Sequence, residues 1–189
     1  MNGQPDNNRE ECFFVKLYRE TISLQSCINH PTFHDITAQV KEIVRKSGVQ
    51  NGQVLVYSHH TTCSVMTQEC SHDKTFWGLE YLQQDLCDIM EALVPKCRTE
   101  GQYRHPGPKH IEFAMSLGHR GIPGEQPEEG EWTSLNTEAH LRSVFFGRSE
   151  TIVIVDGEVD LGEFGYIYFV DWDQLRARKR TVQVQIMGE

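Results

Sequence analysis

The sequence predicts an α+β fold with a β-sandwich core and two to three helices. Most of the patterned segments have the alternation or the short apolar runs of β-strands, and few have apolar residues at helical spacing. These strands follow one another instead of alternating with helices, which distinguishes the chain from a parallel α/β protein. The 189 residues, 38% of them hydrophobic, fit a single domain with a sizeable core.

The first third of the chain is predicted to hold three strands and a helix. The stretch at 13–22, FFVKLYRETI, is typical of a first strand and precedes a loop. Asp35 is placed as the N-cap of a helix over 36–48, whose apolar residues recur on one face. An Asn-Gly turn then leads into a strand at 52–60, with TTCSVMTQEC at 61–70 as its predicted hairpin partner.

The remainder combines helices, a long loop and closing strands. Residues 73–94 carry apolar side chains at spacings of three and four, with Asp73 as the expected cap. Residues 97–134 are rich in Gly and Pro and are predicted to be a long inserted loop, in which IEFAMSL fits either a strand or a helix. Asn136 is expected to cap the helix TEAHLRSVFF. The closing strands are SETIVIV, GYIYFVDWD and KRTVQVQIM.

Composition excludes several classes of function. The net charge of −9 argues against nucleic acid as a partner, which would need clustered Lys and Arg. No run of eighteen apolar residues and no signal peptide are present, so no membrane partner is predicted and a cytoplasmic location is expected. The six cysteines form no CxxC pair and are expected to be free thiols. Residues 1–10 are predicted to be a disordered tail preceding one domain at 11–189.

Three histidines on separate elements are candidate metal ligands: His60 at a strand end, His105 in the long loop and His140 in a helix. Each has an ordinary alternative, because a lone histidine is more often hydrogen-bonded to a neighbour or packed in the core. Together, three imidazoles would leave an open coordination position on a divalent ion, with zinc as the expected metal. Glu69 is the candidate general acid or base, although a solvated strand-end carboxylate is the commoner role.

Hydroxyl and basic side chains near these histidines are candidates for binding an anion. Thr61 and Thr62 could hold a phosphate, but threonines in strands more often pack. Arg176 begins the cluster RARKR, which could pair with a ligand phosphate or simply form a solvated edge. Asn136 is placed with this group. Because successive strand side chains face opposite sides, only one of His59 and His60 can point into the site.

Several short motifs, in order, resemble the YjbQ-like family of small proteins. They are DITAQV at 35–40, SGVQNGQV at 47–54, HTTCSVMTQE at 60–69, YRH at 103–105, AHLRSVFFG at 139–147, and the closing stretch DGEVDLGEFGYIYFVDWD with RARKRTVQVQIMG. The resemblance implies an α+β fold that assembles as a homotrimer. It also implies a metal- or anion-binding pocket lined by His60, His105 and His140, with Glu69 in the same region, and it selects His60 over His59.

Some members of that family are described as secondary thiamine-phosphate synthases. The resemblance therefore implies a small metal-assisted enzyme acting on a phosphorylated small molecule, with thiamine-phosphate synthesis as the named candidate. The alternative is a non-catalytic trimer that binds or senses a metal or a small anion. Two departures matter. The insertion after YRH makes His110 and His119 competitors of His105, and Glu163 and Phe164 stand where the family usually has Trp-Gln.

Overall fold

The computed structural model describes residues 14–116 and 135–189, which form two antiparallel sheets and four helices. The elements are β1 Lys16–Gln25, β2 Thr32–Asp35, α1 Thr37–Ser47, β3 Gly52–Tyr57, β4 Cys63–Glu69, α2 Tyr81–Leu93, α3 Pro108–Ser116, α4 Thr137–Phe146, β5 Ser149–Val155, β6 Glu158–Val159, β7 Gly165–Asp171 and β8 Lys179–Gly188. The α+β class is confirmed, with four helices in the described part where two to three were expected.

The two sheets pack face to face. One has the strand order β1-β8-β3-β5-β6 and the other β2-β7-β4. Alternate residues of each strand point into the space between them, as the two-residue period of a strand requires. From the larger sheet these include Val54, Val184 and Ile154, and from the smaller sheet Val65 and Phe169, all at most 1% exposed. This layer is the main hydrophobic core.

A second apolar layer lies on the other face of the smaller sheet, where α2 and α4 cover it. Tyr168, Val170 and Trp172 of the β7 region pack there with Cys87 of α2 and Ala139 of α4. Strand β7 is therefore covered on both faces, which explains why GYIYFV is apolar at nearly every position and not at every second one. The smaller sheet is the middle layer of the molecule.

The structure corrects three predictions about the elements. The segment 61–70 is not the hairpin partner of β3: β4 pairs with β7, whereas β3 pairs with β5 and β8. The second helix begins at Tyr81, eight residues after the predicted cap Asp73, because Glu80 and Gln83 form a reciprocal capping box there. Strand β2 begins at Thr32 and ends at Asp35, between the first strand and the helix, where no strand was expected.

The predicted cap of α4 and the predicted free cysteines are confirmed. Asn136 is the N-cap residue of α4, although its side chain makes no capping hydrogen bond. The segment IEFAMSL, for which a strand and a helix were both open, falls largely within helix α3. The Asp-Gly pair at 156–157 lies between β5 and β6. Five of the cysteines are free, and Cys12 lies outside the described residues, as do the tail predicted at 1–10, His119 and the part of the predicted loop from 117 to 134. Within the described ranges, no helix combines the length and hydropathy needed to cross a membrane.

Candidate functional site

The polar stretch after β3 is a short loop, residues 58–62, that crosses from the larger sheet to the smaller one. Ser58 donates its backbone N–H to the Arg148 carbonyl (2.8 Å), and its hydroxyl accepts the N–H of His60 (3.3 Å). The His60 carbonyl accepts the N–H of Cys63 (3.2 Å), which closes a turn. The loop is polar because its backbone groups lie outside the strand ladders and need other partners.

Beneath this loop lies a buried ion pair. Arg180 binds Asp171 through two nitrogens, Nε to Oδ2 at 2.7 Å and Nη2 to Oδ1 at 3.1 Å. The Thr62 hydroxyl accepts from Arg180 Nη2 (3.1 Å) and donates to Asp171 Oδ1 (3.4 Å). Burial alone would lower the pKa of Arg180, but its hydrogen bonds and the charge of Asp171 raise it. Thr62, predicted to bind an anion, is therefore occupied by this pair.

A second buried carboxylate, Asp173, lies two residues after Asp171 and is also surrounded by hydrogen-bond donors. Its Oδ1 accepts the N–H of Leu175 (3.0 Å), and its own N–H donates to Asp171 (3.1 Å). Asn136 donates its side-chain amide to Asp173 Oδ2 at 3.3 Å. Asn136, also predicted to bind an anion, instead ties the first turn of α4 to the end of β7.

The two remaining arginines of this segment keep unused hydrogen-bond donors. Nε of Arg176 and Nε and Nη2 of Arg178 are buried, and none of them has an acceptor among the described residues. Arg178 Nη2 lies 3.1 Å from Asp173 Oδ2, which is close enough for an ion pair but is not aligned for a hydrogen bond. We define residues 171–180 as the carboxylate–arginine segment. Of its arginines, Arg176 and Arg178 can donate to a ligand.

Three imidazoles gather beside the N-terminus of α4. The rings of His105 and His110 have centroids 4.6 Å apart, and those of His105 and His140 are 5.6 Å apart. Burial and the charges of the neighbouring histidines lower the pKa of His105 and of His140. A hydrogen bond to the Thr61 backbone opposes the shift for His140 without cancelling it. The cluster therefore reaches the loop at 58–62 through the contact of His140 with Thr61.

The hydrogen bonds of His105 define its tautomer. The Thr137 hydroxyl donates to the His105 carbonyl at 2.7 Å, so its oxygen is left to accept from His105 Nδ1 at 3.1 Å. The ring hydrogen of neutral His105 therefore resides on Nδ1. Its Nε2 keeps a lone pair that can accept a proton from a ligand.

His60 is held differently. Its Nε2 accepts a hydrogen bond from the backbone N–H of Thr181 at 3.0 Å. The centroids of the His60 and His59 rings are 4.2 Å apart. Burial, followed by the charges of Arg180 and His59, lowers the pKa of His60 to about 4. His60 is therefore neutral at physiological pH.

The residues do not fit the expected zinc site. In the part of the chain that the structure describes, no three His, Cys, Asp or Glu side chains converge as ligands of one metal ion. His60 uses its Nε2 lone pair on Thr181, whereas His105 and His140 belong to the cluster with His110. The structure thus places the three predicted ligands in one region without assembling them around one point.

Glu69 lies at the opposite end of β4 from the loop at 58–62. The strand has seven residues, and a rise of 3.3 Å per residue separates its ends by about 20 Å. Glu69 lines a recess there together with Glu150 and Asp160. Within one chain, the predicted general acid or base is therefore not brought to the histidines.

Sequence reasoning missed the two carboxylates that organise this region. Asp171 and Asp173 are fully buried, and they precede three arginines at alternate positions in the stretch DWDQLRARKR. An acidic residue two positions beyond another, at the end of an apolar strand, is a signal that could have identified them. Buried carboxylates need partners, and the nearest candidates in sequence are those arginines.

Comparison with known proteins identifies a matching protein family. The family model described as "UPF0047 protein YjbQ-like" matches residues 20–189. A UPF0047 protein of Methanothermobacter thermautotrophicus is 25% identical over 176 residues, which cover 93% of this chain and 96% of the relative. One from Archaeoglobus fulgidus is 28% identical over 149 residues, covering 79% and 87%.

Solved structures agree in fold. A YbjQ-like protein of unknown function from Sulfolobus solfataricus P2 has a TM-score of 0.68 at 24% identity, covering 93% of this chain and all of that one. An uncharacterized conserved protein of the yjbq/upf0047 family from Clostridium acetobutylicum has a TM-score of 0.63 at 28% identity, covering 88% and 98%.

Proposed function

The chain belongs to the YjbQ-like UPF0047 family, and from that premise we propose that it binds a phosphorylated small molecule at the carboxylate–arginine segment and acts on it as an enzyme. The ligand's anionic oxygens would accept from Arg176 and Arg178. The reaction would use a neighbouring imidazole for proton transfer. Thiamine-phosphate synthesis, which joins two phosphorylated substrates, is the reaction to test first.

The observation that carries this proposal is the set of unused donors on Arg176 and Arg178. A buried polar group without a partner costs about 1–3 kcal/mol, and more when the group is charged. An anionic oxygen at this place would remove that cost. Phosphate is a suitable partner because guanidinium groups bind its oxygens through charge-assisted hydrogen bonds.

His105 is the residue that best suits proton transfer. Its Nδ1–H is fixed on Thr137, which orients the ring, and its Nε2 lone pair is free. Burial and the charge of His110 lower the pKa of His105, which favours the neutral ring, the form that has a lone pair to accept a proton. The proposed mechanism includes no step through a metal, because the described side chains do not form a three-ligand set.

Calorimetric titration with inorganic phosphate tests the binding half of the proposal. We expect Arg176→Met to weaken binding tenfold or more, since a hydrogen bond to a charged group contributes about 1.5–3 kcal/mol. Lys179→Met is the matched control: it removes the same charge from an exposed neighbouring position. Equal losses in the two variants would indicate a general charge effect and would contradict a specific site.

Non-catalytic binding is the second candidate function, and the position of Glu69 favours it. The carboxylate predicted to move the proton lies about 20 Å away along β4, so within one chain it does not reach the histidines. Glu69 keeps a catalytic role only where another copy of the chain brings it to the segment. In a binding protein, phosphate affinity would be present without turnover.

Turnover separates the two functions. Purified protein is incubated with hydroxymethylpyrimidine diphosphate and thiazole phosphate, and the formation of thiamine phosphate is followed. We expect His105→Gln to lower the rate about a hundredfold, a typical effect of losing general acid–base catalysis, while phosphate affinity is retained. His110→Gln is the control on the exposed neighbouring ring. Wild-type activity no higher than that of His105→Gln would leave binding as the function.

A further inference from the structure

The hydrogen bond between His60 and Thr181 fixes which ring nitrogen of His60 carries hydrogen. A backbone N–H can only donate, so Nε2 of His60 must be the acceptor across the 3.0 Å distance. Thr181 lies in β8 and pairs with Ser23 of β1, so the ladder fixes the position of this donor. A neutral imidazole has one N–H and one in-plane lone pair, and therefore Nδ1 carries the hydrogen.

This tautomer leaves His60 without a lone pair for a cation. A metal at Nε2 would have to displace the Thr181 N–H, and a metal at Nδ1 would have to displace the ring hydrogen. The charges of Arg180 and Arg178 also act against a cation at the ring, while the carboxylate of Asp171 opposes them in part. The unused donors of Arg176 and Arg178 would accommodate an anion.

We propose that His60 is a fixed hydrogen-bond donor, through Nδ1–H, to an anionic oxygen of the ligand, and that it does not bind a metal. The inference rests on the proposed function for the identity of the ligand, but its statement about the tautomer stands on the Thr181 contact alone. The two histidines then have different roles. His60 donates a hydrogen bond to the ligand, whereas His105 has a free lone pair that can accept a proton from it.

Nitrogen NMR of the unliganded protein tests the tautomer without any reaction. In a long-range proton–nitrogen correlation spectrum of 15N-labelled protein, Nδ1 of His60 should have the shift of a protonated nitrogen at neutral pH. Nε2 should have the shift of an unprotonated one, and zinc should leave both signals unchanged. A hydrogen on Nε2, or His60 signals that respond to stoichiometric zinc, would overturn the assignment.

Two substitutions at His60 test the donor role. Asn places an amide N–H near the position of Nδ1, whereas Gln places its amide near the position of Nε2. We expect His60→Asn to keep phosphate affinity within a few fold of wild type, and His60→Gln to weaken it about tenfold to a hundredfold. The reverse order, or equal affinities, would contradict donation from Nδ1.

The outcomes distinguish this inference from the proposed function. Absence of phosphate binding in the wild-type protein would refute the proposed function and the donor role, while the NMR result would still decide the tautomer. Binding that depends on Arg176 but not on His60 would refute only the donor role. Thr181→Val is a control, because it removes a hydroxyl 3.4 Å from His60 Nε2 and keeps the backbone donor.

Discussion

At the residue scale, the site depends on two buried carboxylates that hold basic side chains in place. Asp171 and Asp173 are completely excluded from solvent, and each has an arginine and at least one backbone N–H beside it. Arg180 makes two hydrogen bonds to Asp171 and one to Thr62, whereas the guanidinium of Arg178, among the described residues, makes only an ion pair with Asp173. The difference between these two arginines is what separates a structural ion pair from a group that can bind a ligand.

Removing Asp171 tests that distinction. We expect Asp171→Ala to lower the free energy of unfolding by about 3–5 kcal/mol, because Arg180 would be left as a buried charge without its partner. Urea denaturation measures the change. The control is Glu42→Ala, which breaks the exposed Glu42–Arg45 pair and should cost about 0–1 kcal/mol. Similar losses of stability in both variants would show that the buried Asp171–Arg180 pair contributes no more to stability than the exposed pair.

The lowered pKa of His60 predicts how stability depends on pH. The unfolded chain takes up a proton near the ordinary value of 6.5, and the folded chain only near 4, so the unfolded state binds more protons between these values. The contribution of His60 to stability is therefore complete above pH 6.5 and is lost as the pH falls towards 4.

His60→Gln should remove this dependence while its amide oxygen can still accept from Thr181. The melting temperature of wild type minus that of the variant should decrease between neutral pH and pH 4, as measured by circular dichroism. A difference that stays constant over this range would show that the folded and unfolded states bind protons equally at His60.

At the scale of the elements, the sequence predicted helix positions and caps well but did not predict which strands pair. The apolar spacing of α1 and the Asn136 cap of α4 are encoded within a few neighbouring residues, and both were found. The partner of β4 depends on contacts with β7, a hundred residues away in sequence, which periodicity does not contain. For the same reason the sequence could single out each histidine as a candidate, but it could not predict how the histidines are arranged or how far Glu69 lies from them.

Strand pairing around β3 depends on the absence of a side chain at Gly52. Gly52 pairs with Gly188 of β8, and a Cβ at Gly52 would lie 2.7 Å from the Gly188 Cα and even closer to the Met187 carbonyl. We expect Gly52→Ala to destabilise the protein by about 1–3 kcal/mol in urea denaturation, the usual cost of overpacking.

Gly107→Ala provides the comparison, since a Cβ there meets no atom within 4 Å, and it should change stability by less than about 0.5 kcal/mol. If Gly52→Ala changed stability as little, the close backbone contact between β3 and β8 at this position would be contradicted.

At the scale of the whole molecule, a patch of exposed apolar side chains lies on helices α2 and α4. The strand YIYFV needs no cover from another subunit, because the chain itself buries both of its faces. Val144 and Phe145 of α4, in contrast, are 80% and 61% exposed, and Ile89 and Leu93 of α2 are 62% and 61% exposed. Exposed apolar residues of this size on neighbouring helices are typical of a subunit contact.

We therefore predict a homotrimer that buries the outer faces of α2 and α4. Light scattering coupled to gel filtration should give three times the chain mass of 21.8 kDa. Val144→Glu should lower that mass, because a charge would be buried at the contact. Val153→Glu on the outer face of β5 should not. A monomer mass for wild type would contradict the assembly, and an unchanged mass for Val144→Glu would contradict the surface.

The central claim, that the carboxylate–arginine segment binds a phosphate group, is tested most directly by locating an anion in a crystal. Crystals grown without phosphate or sulfate are soaked in tungstate, an electron-dense analogue of phosphate. The account predicts tungstate oxygens about 2.7–3.2 Å from Nε of Arg176 and from the unused nitrogens of Arg178, with His60 Nδ1 as a further donor. Tungstate bound only elsewhere, or no tungstate at a concentration that saturates the protein in solution, would contradict it.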